Sequence, residues 1–252
     1  MALLEANDIS KRFGGIAALS TLSLVVDANE AVGLVGPNGA GKTTLFNCLL
    51  GLLRPDTGTV CFDGHDLARM PIYRRARLGI GRTFQRMELF TEMTTRQHLL
   101  VAERARHRRG NLWRDLTNRA RPTLAERRRV DEMLDLLGIR DVAEAPAESL
   151  SLGHGRLVEL GRALMTEPKL LLLDEPSSGL DRVETLGLTL VLERVRHERQ
   201  TAVLLVEHDL EMVQRAVHRL YVLDFGKLIA EGPTAAVIAD AGVRRAYLGQ
   251  AS

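Results

Sequence analysis

Lysine is nearly absent from this sequence. Its 252 residues include 34 lysines and arginines, but the lysines are Lys11, Lys42, Lys169 and Lys227 alone. Where charge by itself is needed the chain uses arginine, so Lys42 marks a position that wants a compact ammonium rather than a planar fork. Cysteine is as scarce: Cys48 and Cys61 form no CxxC pair, which excludes a disulfide framework and points to a reducing compartment. No apolar stretch approaches the ~18 residues of a membrane span. The opening residues Met1 to Asp8 carry acids where a signal peptide needs a basic and then an apolar run. Any membrane role is therefore expected to come through a partner. A net charge of +2 gives no global field for nucleic acid. Hydrophobic residues at 45% suffice for one large core or two small ones.

The strongest signal is Gly36-Pro37-Asn38-Gly39-Ala40-Gly41-Lys42-Thr43-Thr44, which fits the phosphate-binding pattern G-x-x-x-x-G-K-[ST]. Its glycines permit backbone conformations in which successive N–H groups face an anion. The helix that follows adds its positive end. Lys42 supplies a point charge for the outer phosphates, and the Thr43 hydroxyl can ligate Mg²⁺. The context fits: Ala31-Val32-Gly33-Leu34-Val35 reads as a buried strand and residues 44–50 as a helix.

Strands are expected over 3–9, 22–26 and 59–62, with turns at 27–30 and 54–58. Residues 86–150 are poor in β-branched runs and rich in Arg, Glu and Leu. Helical spacing covers 99–105 and 124–137, the second capped by Gly138. This region reads as a helical insertion in an α/β core. Between 101 and 130 it holds ten arginines against Glu103, Asp115 and Glu126. We read it as a solvated helical face, with contact to anionic headgroups or an acidic partner as the other reading. Trp113 is its one aromatic, which argues against stacking on nucleic acid.

Leu170-Leu171-Leu172-Leu173-Asp174 is an apolar run ending in acid, the pattern of a buried parallel strand with a carboxylate at its C-terminal edge. Residues 201–206, leading into Glu207-His208-Asp209, and 218–224, leading into Phe225-Gly226-Lys227, repeat it. Parallel strands alternating with helices place ligands beyond the strand ends. Lys42, Asp174, Glu175 and His208 should therefore converge. Beside a phosphate loop, Asp174 can hold Mg²⁺ and Glu175 can polarise a water for attack on a γ-phosphate.

Leu150-Ser151-Leu152-Gly153-His154, 23 residues before the aspartate when counted from Ser151, resembles the LSGGQ signature of ATP-binding-cassette (ABC) ATPases. Gln85 in Arg82-Thr83-Phe84-Gln85 matches the Q-loop of that family and Ser178-Gly179-Leu180-Asp181 its D-loop. His208 matches the switch histidine, and Phe13 the aromatic that stacks on adenine. These motifs keep the family's order across essentially the whole chain. The resemblance implies a P-loop NTPase (RecA-like) α/β fold with an antiparallel β subdomain. One nucleotide-binding domain would span 1–252, with core and β subdomain in 1–85 and 155–252 and a helical subdomain in 86–154.

The resemblance also implies roles. Phe13 would stack on the base. Gly36 to Thr44 would hold the phosphates of ATP. Thr43 and Gln85 would ligate Mg²⁺, supported by Asp174. Glu175 would be the general base, and His208 would hold the γ-phosphate and the attacking water. Ser151, Gly153, His154 and Asp181 would face ATP bound by a second copy in a head-to-tail dimer. His154 stands where the signature has Gln or Glu, and a histidine there would make closure mildly pH-dependent.

Gly81-Arg82-Thr83-Phe84-Gln85 with Leu89-Phe90, the long insertion and Ala246-Tyr247-Leu248-Gly249 resemble the longer ATPase of branched-chain (hydrophobic) amino-acid importers. Such subunits sit on the cytoplasmic face of the membrane. They grip two permease subunits through a groove expected near 85–100, pair with themselves or a second ATPase, and serve an external solute-binding protein. Related systems carry urea, amides or aromatic acids, or export lipopolysaccharide. A cytosolic ABC ATPase of translation or repair usually has two cassettes or coiled insertions, and this chain has neither. A P-loop metabolic kinase has no need of the 150–154 motif or of His208.

Overall fold

The computed structural model describes residues 2–83, 88–106 and 121–248, with side chains to 244. Gln85, the arginines at 108, 109, 114 and 119, and Trp113 lie outside the described residues.

Two sheets form the scaffold. The first is antiparallel, in order β2-β1-β4-β5, from β1 (Ala2–Phe13), β2 (Ile16–Asp27), β4 (Thr57–Phe62) and β5 (His65–Asp66). The second has the order β10-β9-β3-β8-β7-β6, from β3 (Ala31–Val35), β6 (Ile80–Arg82), β7 (Leu170–Asp174), β8 (Ala202–Val206), β9 (Arg219–Asp224) and β10 (Lys227–Pro233). Its strands run parallel except β10, which pairs antiparallel with β9. The helices are α1 (Lys42–Leu50), α2 (Ile72–Leu78), α3 (Thr95–Arg106), α4 (Leu124–Leu137), α5 (Leu152–Leu164), α6 (Arg182–Arg199), α7 (Leu210–Ala216), α8 (Thr234–Ala239) and α9 (Ala241–Leu248).

The continuous apolar strands arise because both faces of the second sheet are covered. Alternate residues enter different cores. Leu170, Leu172, Ala202 and Leu204 pack with α1 and the antiparallel sheet. Leu171, Leu173, Val203 and Leu205 pack with α4, α5 and α6. In α4, Val130, Met133, Leu134 and Leu137 are buried, the i, i+3, i+4, i+7 stripe of an amphipathic helix. Thr123 and Glu126 close a capping box at its start, and Gly138 takes the left-handed cap at its end.

Strand β10 was not expected from the sequence. Its residues alternate exposed and half-buried along the sheet edge, so no apolar run marks it, and Pro233 is tolerated at its end. Among the described residues of the arginine-rich region, several arginines form ion pairs. Arg104 meets Glu126 at 3.1 Å, Arg129 meets Glu103 at 3.0 Å, and Arg96 reaches Asp131 at 2.5 Å, tying α3 to α4. Arg128 pairs with Glu132 along α4 at 3.0 Å, and Arg106 with Glu167 at 2.6 Å. Arg121, Arg127 and Arg128 are exposed, so among the described residues the segment combines ties between α3 and α4 with a solvated helical face.

One buried cation anchors the phosphate-loop helix from behind. Arg75 of α2, 6% exposed, donates to Cys48 O (3.0 Å), Leu49 O (2.7 Å), Leu67 O (2.6 Å) and Met70 O (2.9 Å). Two of these are end carbonyls of α1, where the helix dipole favours a cation. Arg75→Met keeps the apolar stem and strands the carbonyls. It should lower unfolding free energy by about 2–4 kcal/mol, read from urea denaturation. A loss below about 0.5 kcal/mol would mean that water replaces the guanidinium freely.

Candidate functional site

The phosphate loop is shaped by backbone packed on backbone. A Cβ at Gly36 would lie 2.3 Å from Leu223 O, and one at Gly41 would lie 2.5 Å from Ala18 O. Gly39 has φ +81° with nothing within 4 Å of its Cβ position, so its left-handed backbone opens on free space. Gly41 takes φ 106° as the N-cap of α1, and no side chain caps that end. The first N–H groups of α1 are thus left for an external acceptor. Ala40 is buried, Pro37 half-buried and Asn38 exposed; Thr43 is exposed at the helix start and Thr44 half-buried. Lys42, buried, folds over the loop and donates to Gly36 O at 2.6 Å and Pro37 O at 3.0 Å. This cradle fits a polyphosphate.

Strand register brings the acidic residues alongside. Val206 of β8 lies opposite both Leu34 of β3 and Asp174 of β7, so the phosphate loop, Asp174 and residue 207 leave adjacent strand ends. Burial lowers the Lys42 pKa, opposed by the charges of Glu175 and Asp174. Burial raises the Asp174 pKa, Glu175 adds to this, and Arg82 and Lys42 oppose it. Asp174, 4% exposed, is a buried carboxylate whose oxygens are potential donors to a cation. With the Thr43 hydroxyl it suits a hard divalent cation such as Mg²⁺. Glu175 is half-buried, holds a left-handed φ of 47°, and donates its N–H to Val206 O at 2.9 Å. The structure thus brings Lys42, Asp174 and Glu175 together, as the sequence predicts.

His208 follows β8 and is largely exposed, its Nδ1 3.6 Å from the Glu207 carboxylate. Among the described residues no hydrogen bond joins it to Glu175. Phe13 is 47% exposed, which excludes a core role. It ends β1, and the next strand passes the loop at Ala18. The Lys11 ammonium sits 5.8 Å from its ring centroid.

Ser151 is the N-cap of α5, its Oγ accepting from His154 N at 3.2 Å and lying 3.3 Å from His154 Nδ1. Asp181 is the N-cap of α6 and accepts from Val183 N and Glu184 N, each at 2.8 Å. Sequence reasoning missed the residue that joins these two helix starts. The Glu184 carboxylate accepts from Gly153 N at 3.1 Å and from Asp181 N at 3.3 Å. The capping-box spacing of Asp181 and Glu184 was visible in sequence, but the link to Gly153 was not. Position 154 is also not the sole departure from LSGGQ: Leu152 stands at the first glycine, and its Cδ2 lies 3.0 Å from a Cβ position on Gly179.

An apolar groove opens between α1–β6 and α3, lined by Leu52, Ile72, Ile80, Val101, Ala102 and Ala105. None of these six residues falls within 85–100. Glu159 and Arg162 of α5 line it too and hold residue 88: Glu159 accepts from Glu88 N at 2.8 Å, and Arg162 donates to Glu88 O at 2.7 Å. Burial raises the Glu159 pKa against these contacts.

Three comparisons place the chain among known proteins. The profile of the family described as "ABC transporter" matches residues 19–178. A "High-affinity branched-chain amino acid transport ATP-binding protein LivG" of Salmonella typhimurium is 38% identical, over 99% of this chain and 98% of that protein. A "Lipopolysaccharide export system ATP-binding protein LptB" of Haemophilus influenzae is 35% identical, over 99% of this chain and 98% of its own length. Among solved structures, the ADP conformation of MJ1267, "an ATP-binding cassette of an ABC transporter", superposes with a TM-score of 0.85 at 31% identity, covering 99% of this chain and 100% of that one.

The Asp174 carboxylate gives a prediction with a definite sign. Its folded-state pKa is raised, so the folded chain holds this proton more tightly than the unfolded chain does. Its contribution to stability therefore falls as pH rises from the ordinary aspartate pKa of ~3.9 through the raised value. Metal-free Asp174→Asn should melt higher than the parent at pH 8, with the difference shrinking towards pH 4. A variant melting lower at pH 8 would show that Lys42 and Arg82 outweigh burial.

Proposed function

This chain belongs to the ABC transporter family, and we propose that it is the ATP-hydrolysing subunit of an importer of branched-chain or other hydrophobic amino acids. The observation that carries the activity is the register of β3, β7 and β8, which sets Lys42 beside Asp174 and Glu175. The cargo is supported by likeness to a branched-chain amino-acid transport protein. The lipopolysaccharide-export relative at 35% identity favours a second reading, the same motor serving another cargo.

In this reading the loop from Gly36 to Thr44 takes the phosphates of ATP through its N–H groups, and Lys42 leaves the Gly36 and Pro37 carbonyls for the outer phosphates. Phe13 stacks on the adenine. Thr43, Gln85 and Asp174 would hold Mg²⁺, which when bound neutralises phosphate charge and polarises the γ-phosphoryl group. Glu175 takes a proton from a water whose oxygen attacks the γ-phosphorus. The bond from that phosphorus to the bridging oxygen breaks, leaving ADP and inorganic phosphate. His208 steadies the γ-phosphate and the water.

Ser151, Gly153, His154 and Asp181 meet ATP held by a second copy or a paralogue. The Gly153 N–H carries the Glu184 carboxylate in the single chain, so a γ-phosphate arriving there replaces one anion with another. The groove between α1–β6 and α3 receives the permease subunits, and the chain works at the cytoplasmic face of the membrane. The solute-binding protein is reached only through those permeases. The domain division follows the same reading: β subdomain and core in 1–85 and 155–252, helices in 86–154.

Two variants test this. Glu175→Gln should bind ATP with parental affinity, lose at least ~100-fold in kcat and accumulate as an ATP-dependent dimer in sedimentation. Retained steady-state turnover would remove Glu175 as the base. Ser151→Arg should bind ATP normally yet neither dimerise nor hydrolyse, because the added guanidinium blocks closure from the other chain. Parental turnover in that variant would contradict completion of the site in trans.

A further inference from the structure

We infer that Glu207 is the positioning carboxylate of the hydrolytic site, holding the turn that carries Glu175 and the loop that begins at His208 as one unit. The inference rests on the reading that Glu175 and His208 serve hydrolysis, and it adds a residue to which that reading gives no task.

Glu207 follows directly on the five apolar residues of β8 and is 0% exposed. A carboxylate in such a place is costly unless donors surround it. Its donors come from two segments. Oε1 accepts from Ser177 N at 2.9 Å and from Ser177 Oγ at 2.6 Å. Oε2 accepts from His208 N at 3.1 Å, and His208 Nδ1 lies 3.6 Å away. One oxygen therefore serves the turn after Glu175, and the other serves the start of the His208 loop. A leucine or valine would fill the same volume at the end of an already apolar strand, and a buried charge is weak evidence for stability in itself. Two separate oxygens reaching two separate segments are what an apolar residue could not supply.

The Glu175 backbone shows why that turn needs holding. Glu175 is not glycine, yet its φ is 47°. Left-handed backbone in such a residue is strained and persists only where the surroundings over-determine it. The turn is fastened at both ends: Glu175 N donates to Val206 O at 2.9 Å, and Ser177 donates twice to Glu207. Val206 and Glu207 are consecutive residues. The end of β8 thus fixes both the direction in which Glu175 leaves β7 and the direction in which His208 leaves β8. A site held to within fractions of an ångström by its supporting bonds is the condition for efficient proton transfer.

Glu207→Gln is the discriminating variant. A glutamine offers one acceptor oxygen, so it can serve Ser177 or His208 N but not both. Steady-state ATPase should show kcat reduced about tenfold or more, with KM and fluorescent-nucleotide affinity within about twofold of the parent and melting temperature not lowered. Because Glu207 acts partly through the Ser177 hydroxyl, the substitution should cost less in a Ser177→Ala background than in the parent. Glu175→Gln and His208→Ala are measured alongside. If both are inactive and Glu207→Gln keeps kcat within about twofold, the inference is wrong while the hydrolytic reading stands. If both turn over normally, the hydrolytic reading fails and takes the inference with it. Should Glu207→Gln not fold, Ser177→Ala in the parent, which deletes only the 2.6 Å hydroxyl bond, is read on the same split. A lower kcat at constant KM supports the positioning role, and an unchanged kcat overturns it.

Discussion

Contact of backbone with backbone around the phosphate loop is the constraint on which the rest of this molecule depends. Gly36 and Gly41 lie so close to Leu223 O and Ala18 O that neither tolerates a Cβ. Ala40 O accepts from Gly226 N at 2.9 Å, and Gly226 O accepts from Ser20 N at 2.8 Å. The loop is thereby wedged between the entry of β2 and the β9–β10 turn, which come from distant parts of the sequence. Its curvature is set before any ligand arrives, and that is the pre-organisation an anion site needs. Arg75, gripping the far end of α1, fixes the helix whose N-terminus completes the cradle.

A second feature follows from strand register. Three parallel strands end side by side, and each releases a charged side chain at the same edge: Lys42 through the loop, Asp174 and Glu175 from β7, Glu207 from β8. Burial works against these charges, as the raised Asp174 pKa and the lowered Lys42 pKa show. They persist because the opposite charges and the N–H donors are supplied locally. The cost in stability and the capacity for chemistry have the same origin, as expected where buried ionisable groups are retained for function. The starts of α5 and α6 form a second polar cluster, where Ser151, Gly153, Asp181 and Glu184 satisfy one another within the chain.

How far the sequence could be read follows from range. The phosphate loop, the Leu170–Asp174 strand and α4 were legible because their chemistry or packing demands particular residue types at fixed, short spacing. Phe13 was legible only through resemblance, and its exposure came from the structure. Strand β10 escaped because an edge strand needs no apolar run. Glu207, Glu184, Glu159 and Arg75 escaped for a different reason. Each acts on a partner between 5 and 71 residues away, and apart from the capping-box spacing of Glu184 nothing local distinguishes such a carboxylate or guanidinium from a solvated one. The arginine-rich segment read as a solvated face, and Arg121, Arg127 and Arg128 are exposed as that reading expects, whereas the pairs of Arg104 with Glu126 and of Arg129 with Glu103 join positions too far apart for helical spacing to reveal.

The measurement that bears most directly on the central claim is co-purification of the tagged full-length chain from gently solubilised membranes of its source cell. Every retained protein would be identified, and ATP hydrolysis assayed in the eluate. An ATPase subunit of an amino-acid importer should retain two permease chains bearing membrane-spanning helices, together with a second copy or a shorter ATPase, and hydrolyse ATP in that complex. Retention of soluble or ribosomal proteins alone would contradict the account, leaving an ATPase of this family assigned to the wrong machine.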